Sequence, residues 1–159
     1  MKSVICPGTF DPITLGHENM IRRAAALFDC VYVAVLDNID KKTVFTMNER
    51  MHFAESVFDD DNRIKVIESK GLLSDVAKQL GVSAILKGAR DATDFDYEKE
   101  LFLINNALVP GLDTVILPAM GDLSFISSTA VRDIGRHGGD ISGFVNSRII
   151  DKVKTKLNC

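Results

Sequence analysis

The feature that most constrains the fold of this chain is the regular alternation of short β-rich runs with helical patterns. Strands are predicted over residues 4–6, 31–36, 64–67, 84–86 and 115–117. Helices are predicted over residues 16–28, 47–58, 73–80, 95–108, 128–136 and 147–157. Such alternation predicts an α/β fold, a doubly wound, Rossmann-like five-stranded parallel sheet with helices on both faces.

Composition narrows the class of protein further. The 159 residues contain no linker or repeat, so we expect a single domain over residues 1–159, with a C-terminal helix at about 147–157. A net charge of −3 argues against bulk nucleic-acid binding through a basic surface. There is no apolar run of about 20 residues and no signal-peptide pattern, so we expect no membrane span and a cytoplasmic location.

The cysteines predict neither a disulfide framework nor a metal site. Cys6, Cys30 and Cys159 are odd in number and lack metal-ligand spacing. Because Cys6 and Cys30 fall in predicted strands, we interpret them as small core residues. Asn146 is a candidate cap for the C-terminal helix, and Thr46 with Glu49 has the pattern of a capping box.

Candidate binding segments follow all five predicted strands. Doubly wound sheets bind ligands beyond the carboxyl ends of their strands, at the point where the strand order reverses. The segments at those ends are residues 9–17, Lys41, Leu72 with Leu73, residues 87–90 and residues 124–129. Their hydroxyls, glycines, histidine and cations suit phosphate, whereas no acidic cluster suggests a dedicated metal cage.

The tetrad Thr14-Leu15-Gly16-His17 stands out among these segments. The predicted helix begins there, so its free N–H groups and dipole favour an anion, and Gly16 lets a phosphate approach the backbone. An imidazole in that turn can donate a hydrogen bond to a phosphoryl oxygen as charge develops. A lone Gly-His pair would equally suit a capping or surface histidine, and we interpret His52 and His137 as surface or structural residues.

The whole segment from Pro7 to His17 resembles the opening of nucleotidyltransferases that carry a Thr/His-x-Gly-His signature. Within that superfamily the chain is most similar to bacterial phosphopantetheine adenylyltransferases, from Val4 to about Phe144. The other segments that carry the resemblance are Gly71-Leu72-Leu73, Lys87-Gly88-Ala89-Arg90, residues 94–98, Asn105 and Ser124-Phe125-Ile126-Ser127-Ser128-Thr129.

The resemblance implies reversible transfer of an adenylyl group from ATP to 4′-phosphopantetheine, giving dephospho-coenzyme A and pyrophosphate. It assigns transition-state stabilisation to His17 and Lys41, orientation of the attacking phosphate to Thr9, and contact with the acceptor to Lys87. The implied acceptor-binding residues are Thr9, Lys41, Leu73, Lys87 and Asn105. The implied ATP-binding residues are Thr9, Phe10, His17, Gly88, Ala89, Arg90, Glu98, Leu123, Ser124, Phe125, Ile126, Ser127, Ser128 and Thr129, of which Arg90 and residues 127–129 would hold the β- and γ-phosphates.

The same resemblance implies Mg²⁺ carried with ATP and held by phosphate oxygens and water, without protein ligands. It also implies a homohexamer and inhibition by coenzyme A. Two residues depart from the family pattern: Lys87 stands where arginine is common, and Leu123 stands where tryptophan is common. A lysine lacks the bidentate fork of arginine, and a leucine cannot replace indole stacking.

Several alternatives remain at this point. Lys41-Lys42 suits a solvated surface pair as well as a phosphate contact, and Ser127-Ser128-Thr129 suits a helix cap in addition to a phosphate site. The acceptor could instead be nicotinamide mononucleotide or a phospho-alcohol, although Leu72, Leu73 and Asn105 favour an extended, partly apolar arm. A non-catalytic nucleotide sensor would bind ATP without turnover.

Overall fold

A computed structural model describes residues 2–37 and 42–158 of the chain. Its strands are β1 (Ser3–Gly8), β2 (Cys30–Leu36), β3 (Ile64–Ser69), β4 (Ala84–Ala89) and β5 (Asp113–Pro118). Its α-helices are α1 (Leu15–Ala25), α2 (Met47–Phe58), α3 (Leu73–Leu80), α4 (Ala92–Leu108), α5 (Ser128–Arg136) and α6 (Ile150–Leu157). A 3₁₀ turn, Gly121–Leu123, lies between β5 and α5.

The five strands form one parallel sheet in the order β3-β2-β1-β4-β5, which confirms the predicted fold class. The chain winds outward from β1 to β3 and then crosses back to place β4 on the other side of β1. The order therefore reverses between β1 and β4. In doubly wound sheets this reversal opens a crevice at the carboxyl ends of the two strands.

The sheet is covered on both faces because its strands alternate their side chains between two cores. Val4 and Cys6 of β1 belong to a larger core that includes residues of α1, α2, α5 and α6. Ile5 points the other way, into a smaller core with Ala77 of α3 and Leu112. Both described cysteines, Cys6 and Cys30, are buried free thiols, which confirms their interpretation as core residues.

Several predicted boundaries differ from the structure, and three of the differences have a clear local reason. Helix α1 ends at Ala25 rather than at residue 28, since the next N–H groups bond three residues back in a tighter turn, and Leu27 is exposed. Helix α4 begins at Ala92 because the Asp91 side chain accepts the Asp94 N–H at 2.9 Å and caps it. Strand β4 continues to Ala89, since its last residues pair with the end of β5.

The two predicted caps have different outcomes. Thr46 and Glu49 form the predicted capping box, each side chain accepting the backbone N–H of the other residue. The cap at Asn146 is wrong, because α6 begins only at Ile150. The Asn146 side chain instead accepts the Arg148 N–H in the preceding turn and donates to Glu18 of α1.

Candidate active site

Two adjoining cavities open at the carboxyl end of the sheet. The first, of about 470 Å³, lies over β1 and β4 and is bounded by α1, α4 and the segment after β5. The second, of about 390 Å³, lies between the β1–α1 loop, Lys42 with Thr43, and the start of α5. Phe10, His17 and Ser128 line both cavities. His17 therefore stands at their junction, as expected for a residue that acts between two ligands.

An unusual capping box fixes the ring of His17. The Thr14 backbone N–H donates to His17 Nδ1 at 3.1 Å, and Thr14 Oγ1 accepts the His17 N–H at 3.4 Å. In the common form of this box, Glu or Gln occupies the position that His17 has here. Because Nδ1 accepts a backbone N–H, the proton of the neutral ring is on Nε2. The start of α1 thus sets the ring's orientation and its tautomer together.

The ring of His17 is neutral at physiological pH. Burial, together with the smaller effect of the nearby positive charge of Arg90, lowers its pKa from 6.5 to about 4. A neutral imidazole with its proton on Nε2 is a hydrogen-bond donor that needs no acidic medium. It can stabilise charge developing on an oxygen without transferring a proton itself.

Phe10 and Gly8 support this arrangement from the β1 side. The Phe10 ring packs edge-on against His17, with 5.1 Å between ring centroids. Phe10 has a φ of 48°, a left-handed conformation that is rare for a bulky residue. A Cβ added to Gly8 would lie 2.7 Å from Phe10 Cζ, so only glycine leaves room for the ring. Gly8 is a site residue that the sequence analysis did not single out.

Lys87 of β4 and Glu98 of α4 form an ion pair in the first cavity. Their Nζ and Oε1 atoms are 3.1 Å apart, and both side chains are mostly buried. Glu98 Oε2 is buried and has no hydrogen-bond partner within the described part of the chain. An unpaired buried carboxylate oxygen is costly, which marks this atom as a candidate ligand contact. Arg90, also in this cavity, is paired with Asp94 at 2.9 Å.

Cys6 also borders the first cavity, as Lys87 does. Burial raises the pKa of its thiol to about 12, although the positive charge of Lys87 acts in the opposite direction. A thiol with so high a pKa stays protonated at physiological pH and is a poor nucleophile. Cys6 is therefore a wall of the cavity rather than a reactive group.

The three hydroxyls at the start of α5 have separate partners. Ser127 Oγ caps the helix by accepting the Ala130 N–H at 3.1 Å, which confirms the capping interpretation. Ser128 Oγ donates to the Pro12 carbonyl at 2.8 Å, and Thr129 Oγ1 accepts from Arg132 at 3.3 Å. Their proposed contact with phosphate stays a prediction.

The second cavity is lined mainly by hydroxyls and cations, which suits an anion, and the buried carboxylate of Asp11, which lies 3.5 Å from Arg132, also borders it. Thr9, which is predicted to bind the acceptor substrate, lines this cavity with Lys42, Thr43, Thr129 and Arg132. Asp11, Thr43 and Arg132 are cavity residues that were not predicted from the sequence. For Arg132 a signal was present, because it follows Thr129 by three positions on a helix and so shares its face.

The structure brings most of the predicted residues together. The predicted residues that line one or both cavities are Thr9, Phe10, His17, Lys87, Gly88, Arg90, Glu98, Leu123, Ile126, Ser127, Ser128 and Thr129. Gly88 packs closely against Met20 of α1, since a Cβ added at Gly88 would lie only 2.9 Å from Met20 Sδ.

Other predicted residues lie elsewhere in the described structure. Leu73 packs against the smaller core, on the face of the sheet that α3 covers. Asn105 lies on α4, and Ala89 ends β4. Ser124 bonds to the Gly121 carbonyl, and the exposed Phe125 ring packs against Phe144. Lys41 lies outside the described residues.

Two further features concern metals and membranes. Across residues 2–37 and 42–158, no three His, Cys, Asp or Glu side chains lie close enough together to hold a metal ion. No helix in that part of the chain is long and apolar enough to cross a membrane.

Comparison with known proteins identifies similar chains. A cytidylyltransferase-like family model matches residues 5–134. The phosphopantetheine adenylyltransferase of Acidovorax sp. (strain JS42) is 46% identical over 153 residues, or 96% of this chain and 93% of the relative. That of Finegoldia magna is 41% identical over 98% of this chain and 96% of the relative. A solved structure, a putative nicotinate-nucleotide adenylyltransferase from Vibrio parahaemolyticus, has the same fold, with a TM-score of 0.67 at 15% identity over 98% of this chain and 96% of that one.

Proposed function

Because the chain belongs to the phosphopantetheine adenylyltransferase family, we propose that the two cavities meeting at His17 are its adenylyl-transfer site. The enzyme transfers an adenylyl group reversibly from ATP to 4′-phosphopantetheine, giving dephospho-coenzyme A and pyrophosphate, a step of coenzyme A biosynthesis. The observation that carries the site assignment is the neutral, Nε2-protonated His17 at the junction of the cavities.

Adenylyl transfer to a phosphate requires correct positioning of the two substrates and does not require a general base. The attacking phosphate oxygen of the acceptor is already an anion, so no proton must be removed from it. It forms a new bond to the α-phosphorus of ATP while the bond to the pyrophosphate oxygen breaks, and the bonding electrons leave with pyrophosphate. Charge builds on the non-bridging α-phosphate oxygens, and His17 Nε2–H donates to one of them.

We assign the remaining roles from the resemblance and from the position of each side chain. Lys41 stabilises the transition state with His17, Thr9 orients the acceptor phosphate, and Lys87 contacts the acceptor. Glu98 contacts the adenosine, and its buried Oε2, which has no partner among residues 2–37 and 42–158, supports this role. Arg90 and the hydroxyls of residues 127–129 hold the β- and γ-phosphates.

The rest of the acceptor and ATP contacts follow the family pattern. Leu73 and Asn105 bind the pantetheine arm. Neither residue borders the two described cavities, so these two roles rest on the resemblance alone. The remaining ATP contacts are Phe10, Gly88, Ala89, Leu123, Ser124, Phe125 and Ile126.

We propose that Mg²⁺ enters with the triphosphate. The second cavity offers hydroxyls and cations rather than a carboxylate cluster, which fits a metal held by phosphate oxygens and water. The ion would neutralise charge on the triphosphate and so help pyrophosphate to leave.

We also propose that the chain is one catalytic domain that assembles as a homohexamer in the cytoplasm. Large apolar side chains of α4, among them Phe95, Leu103, Ile104 and Leu108, are exposed, and burial against other copies would remove them from water. The free thiols Cys6 and Cys30 suit a reducing compartment. Coenzyme A, which contains the product's pantetheine and adenosine groups, would inhibit by competing for the same cavities.

The acceptor is tested by measuring Mg²⁺-dependent pyrophosphate release from ATP with 4′-phosphopantetheine, with nicotinamide mononucleotide and with no acceptor. We expect release only with 4′-phosphopantetheine, and dephospho-coenzyme A identified by mass. Release with nicotinamide mononucleotide would overturn the acceptor but keep the mechanism. ATP binding without release would favour a nucleotide sensor.

The role of His17 is tested by His17→Ala. Loss of a donor to a developing oxyanion lowers kcat by about 100- to 1000-fold, and the affinity for ATP should change much less. Steady-state kinetics and equilibrium binding of a non-hydrolysable ATP analogue separate the two effects. Equal losses in both would make His17 a binding residue only.

A further inference from the structure

Arg50 is a charged side chain with almost no access to water. It lies in the first turn of α2 with 2% of its surface exposed. Burying a guanidinium is costly unless its N–H groups are satisfied. Among the described residues, no carboxylate forms an ion pair with Arg50 under a 4.0 Å limit. Its surroundings must therefore supply other acceptors.

Those acceptors are three backbone carbonyls from separate segments. Arg50 Nη1 donates to the Thr9 carbonyl at 2.7 Å and to the Leu36 carbonyl at 2.9 Å. Its Nε donates to the Phe45 carbonyl at 3.2 Å. One planar group thus ties the β1–α1 loop to the end of β2 and to the entry of α2.

Asp11 ties the same two segments through backbone N–H groups instead of carbonyls. Its buried carboxylate accepts the Phe45 N–H at 2.8 Å and the Val44 N–H at 3.0 Å. Asp11 is two residues from Thr9, so the Thr9 loop and the residues before α2 are held by a buried cation and a buried anion. Arg132, which lines the second cavity, lies 3.5 Å from the same carboxylate.

Arg50 and Asp11 together form a clamp, and this clamp joins two segments that line the second cavity. Thr9 and Asp11 line it from the β1–α1 loop, and Lys42 with Thr43 line it from the segment before α2. Arg50 itself lines neither of the two described cavities, so its effect on a ligand must pass through the residues that it holds.

We propose that Arg50 is a positioning residue for adenylyl transfer, which acts by fixing Thr9 relative to the segment that carries Lys42 and Thr43. The inference rests on the proposed function, in which Thr9 orients the attacking phosphate. Positioning matters because a displacement of about 1 Å at a reacting group lowers the rate about 100-fold. Lysine cannot replace Arg50, since one ammonium group lacks the planar fork that reaches three separated carbonyls.

The test is Arg50→Lys, with Arg22→Lys as the matched control. Arg22 also donates to a backbone carbonyl, that of Val57, and joins α1 to α2, but it lines neither described cavity. We expect Arg50→Lys to lower kcat at least 10-fold while the dissociation constant of an ATP analogue changes less than about threefold. Arg22→Lys should leave kcat within about twofold of the wild type. All assays are run where circular dichroism shows each chain to be folded.

A double-mutant cycle separates positioning from general structural support. If Arg50 acts through Thr9, Arg50→Lys will slow the Thr9→Val enzyme at least threefold less than it slows the wild type. Two effects that simply multiply would overturn the proposal, as would a kcat for Arg50→Lys within threefold of the wild type.

A second variant keeps the proposal testable if Arg50→Lys does not fold. Arg50→Gln keeps a planar amide donor at this position while it loses the reach to three separate carbonyls, and it leaves the Asp11 carboxylate that lines the second cavity unchanged. We expect the same lowered kcat and the same non-additivity with Thr9→Val, and purely multiplicative effects would again overturn the proposal. A wild-type enzyme that makes no dephospho-coenzyme A would instead refute the proposed function.

Discussion

His17 offers a quantitative test of the site because its protonation differs between the folded and unfolded chains. In the fold its pKa is lowered from 6.5 to about 4, chiefly by burial. An unfolded chain takes up a proton near pH 6.5, whereas the folded chain does so only near pH 4. The unfolded state therefore binds more protons between these values, and stability is lost as the pH falls from 6.5 towards 4.

The size of this loss follows from the two pKa values. One pKa unit corresponds to about 1.4 kcal/mol, so the contribution of His17 to the free energy of unfolding falls by about 1.4 kcal/mol at about pH 5.5. It falls by about 2.5 kcal/mol at about pH 4.5, where the folded state begins to accept the proton. Above pH 7 the contribution is constant.

The assay compares denaturant unfolding of the wild type and of His17→Gln across this pH range. Glutamine is a standard residue at this position of a capping box, so the variant keeps the cap of α1 and loses only the titrating ring. Other titrating groups are present in both chains and cancel in the difference. As the pH falls, the wild type should lose stability relative to His17→Gln. The change in the difference between their free energies of unfolding should follow the calculated curve.

Two results would refute this reasoning. Parallel stability profiles for the two chains would mean that the pKa of His17 is the same in the folded and unfolded states. A nitrogen NMR spectrum showing the proton on Nδ1 would mean that the Thr14 N–H does not fix the tautomer, and the proposed donor to the α-phosphate would be lost.

Three further predictions concern packing, charge and assembly. Gly8→Ala places a methyl group 2.7 Å from Phe10 Cζ, so we expect a loss of about 1 to 3 kcal/mol in chemical unfolding and a lower kcat; an unchanged enzyme would show that the ring is free to move. Lys87→Met removes the ion-pair partner of Glu98, and we expect a loss of about 1 to 3 kcal/mol that Glu98→Gln largely restores. A Lys87→Met chain as stable as the wild type would show that the Lys87–Glu98 ion pair does not contribute to the free energy of unfolding. Leu103→Glu charges a side chain that is 60% exposed on α4, so sedimentation should show smaller species than the proposed hexamer. Sedimentation as an intact hexamer would exclude Leu103 from the contact.

Much of the fold could be predicted because its signals are local. Alternating apolar runs and helical spacing indicated a parallel sheet, and the sheet in turn indicated which loops meet. Element ends were less certain: Asp91 caps α4 earlier than the apolar pattern suggests, whereas Asn146 bonds within a turn instead of capping α6. Side-chain caps compete with turns over one or two residues, and the pattern alone does not decide between them.

The sequence by itself determined the sheet, the crevice at its carboxyl edge, and the residue types that gather there, since these depend on periodicity and on short motifs. Only the tertiary structure decided what those residues can do. The neutral state of His17 depends on burial and on Arg90, and the pairing of Lys87 depends on how α4 packs over β4. The burial of Arg50 depends on carbonyls of three segments, one of them 41 residues away along the chain. Each of these properties arises from distances between segments far apart along the chain, which local pattern does not encode.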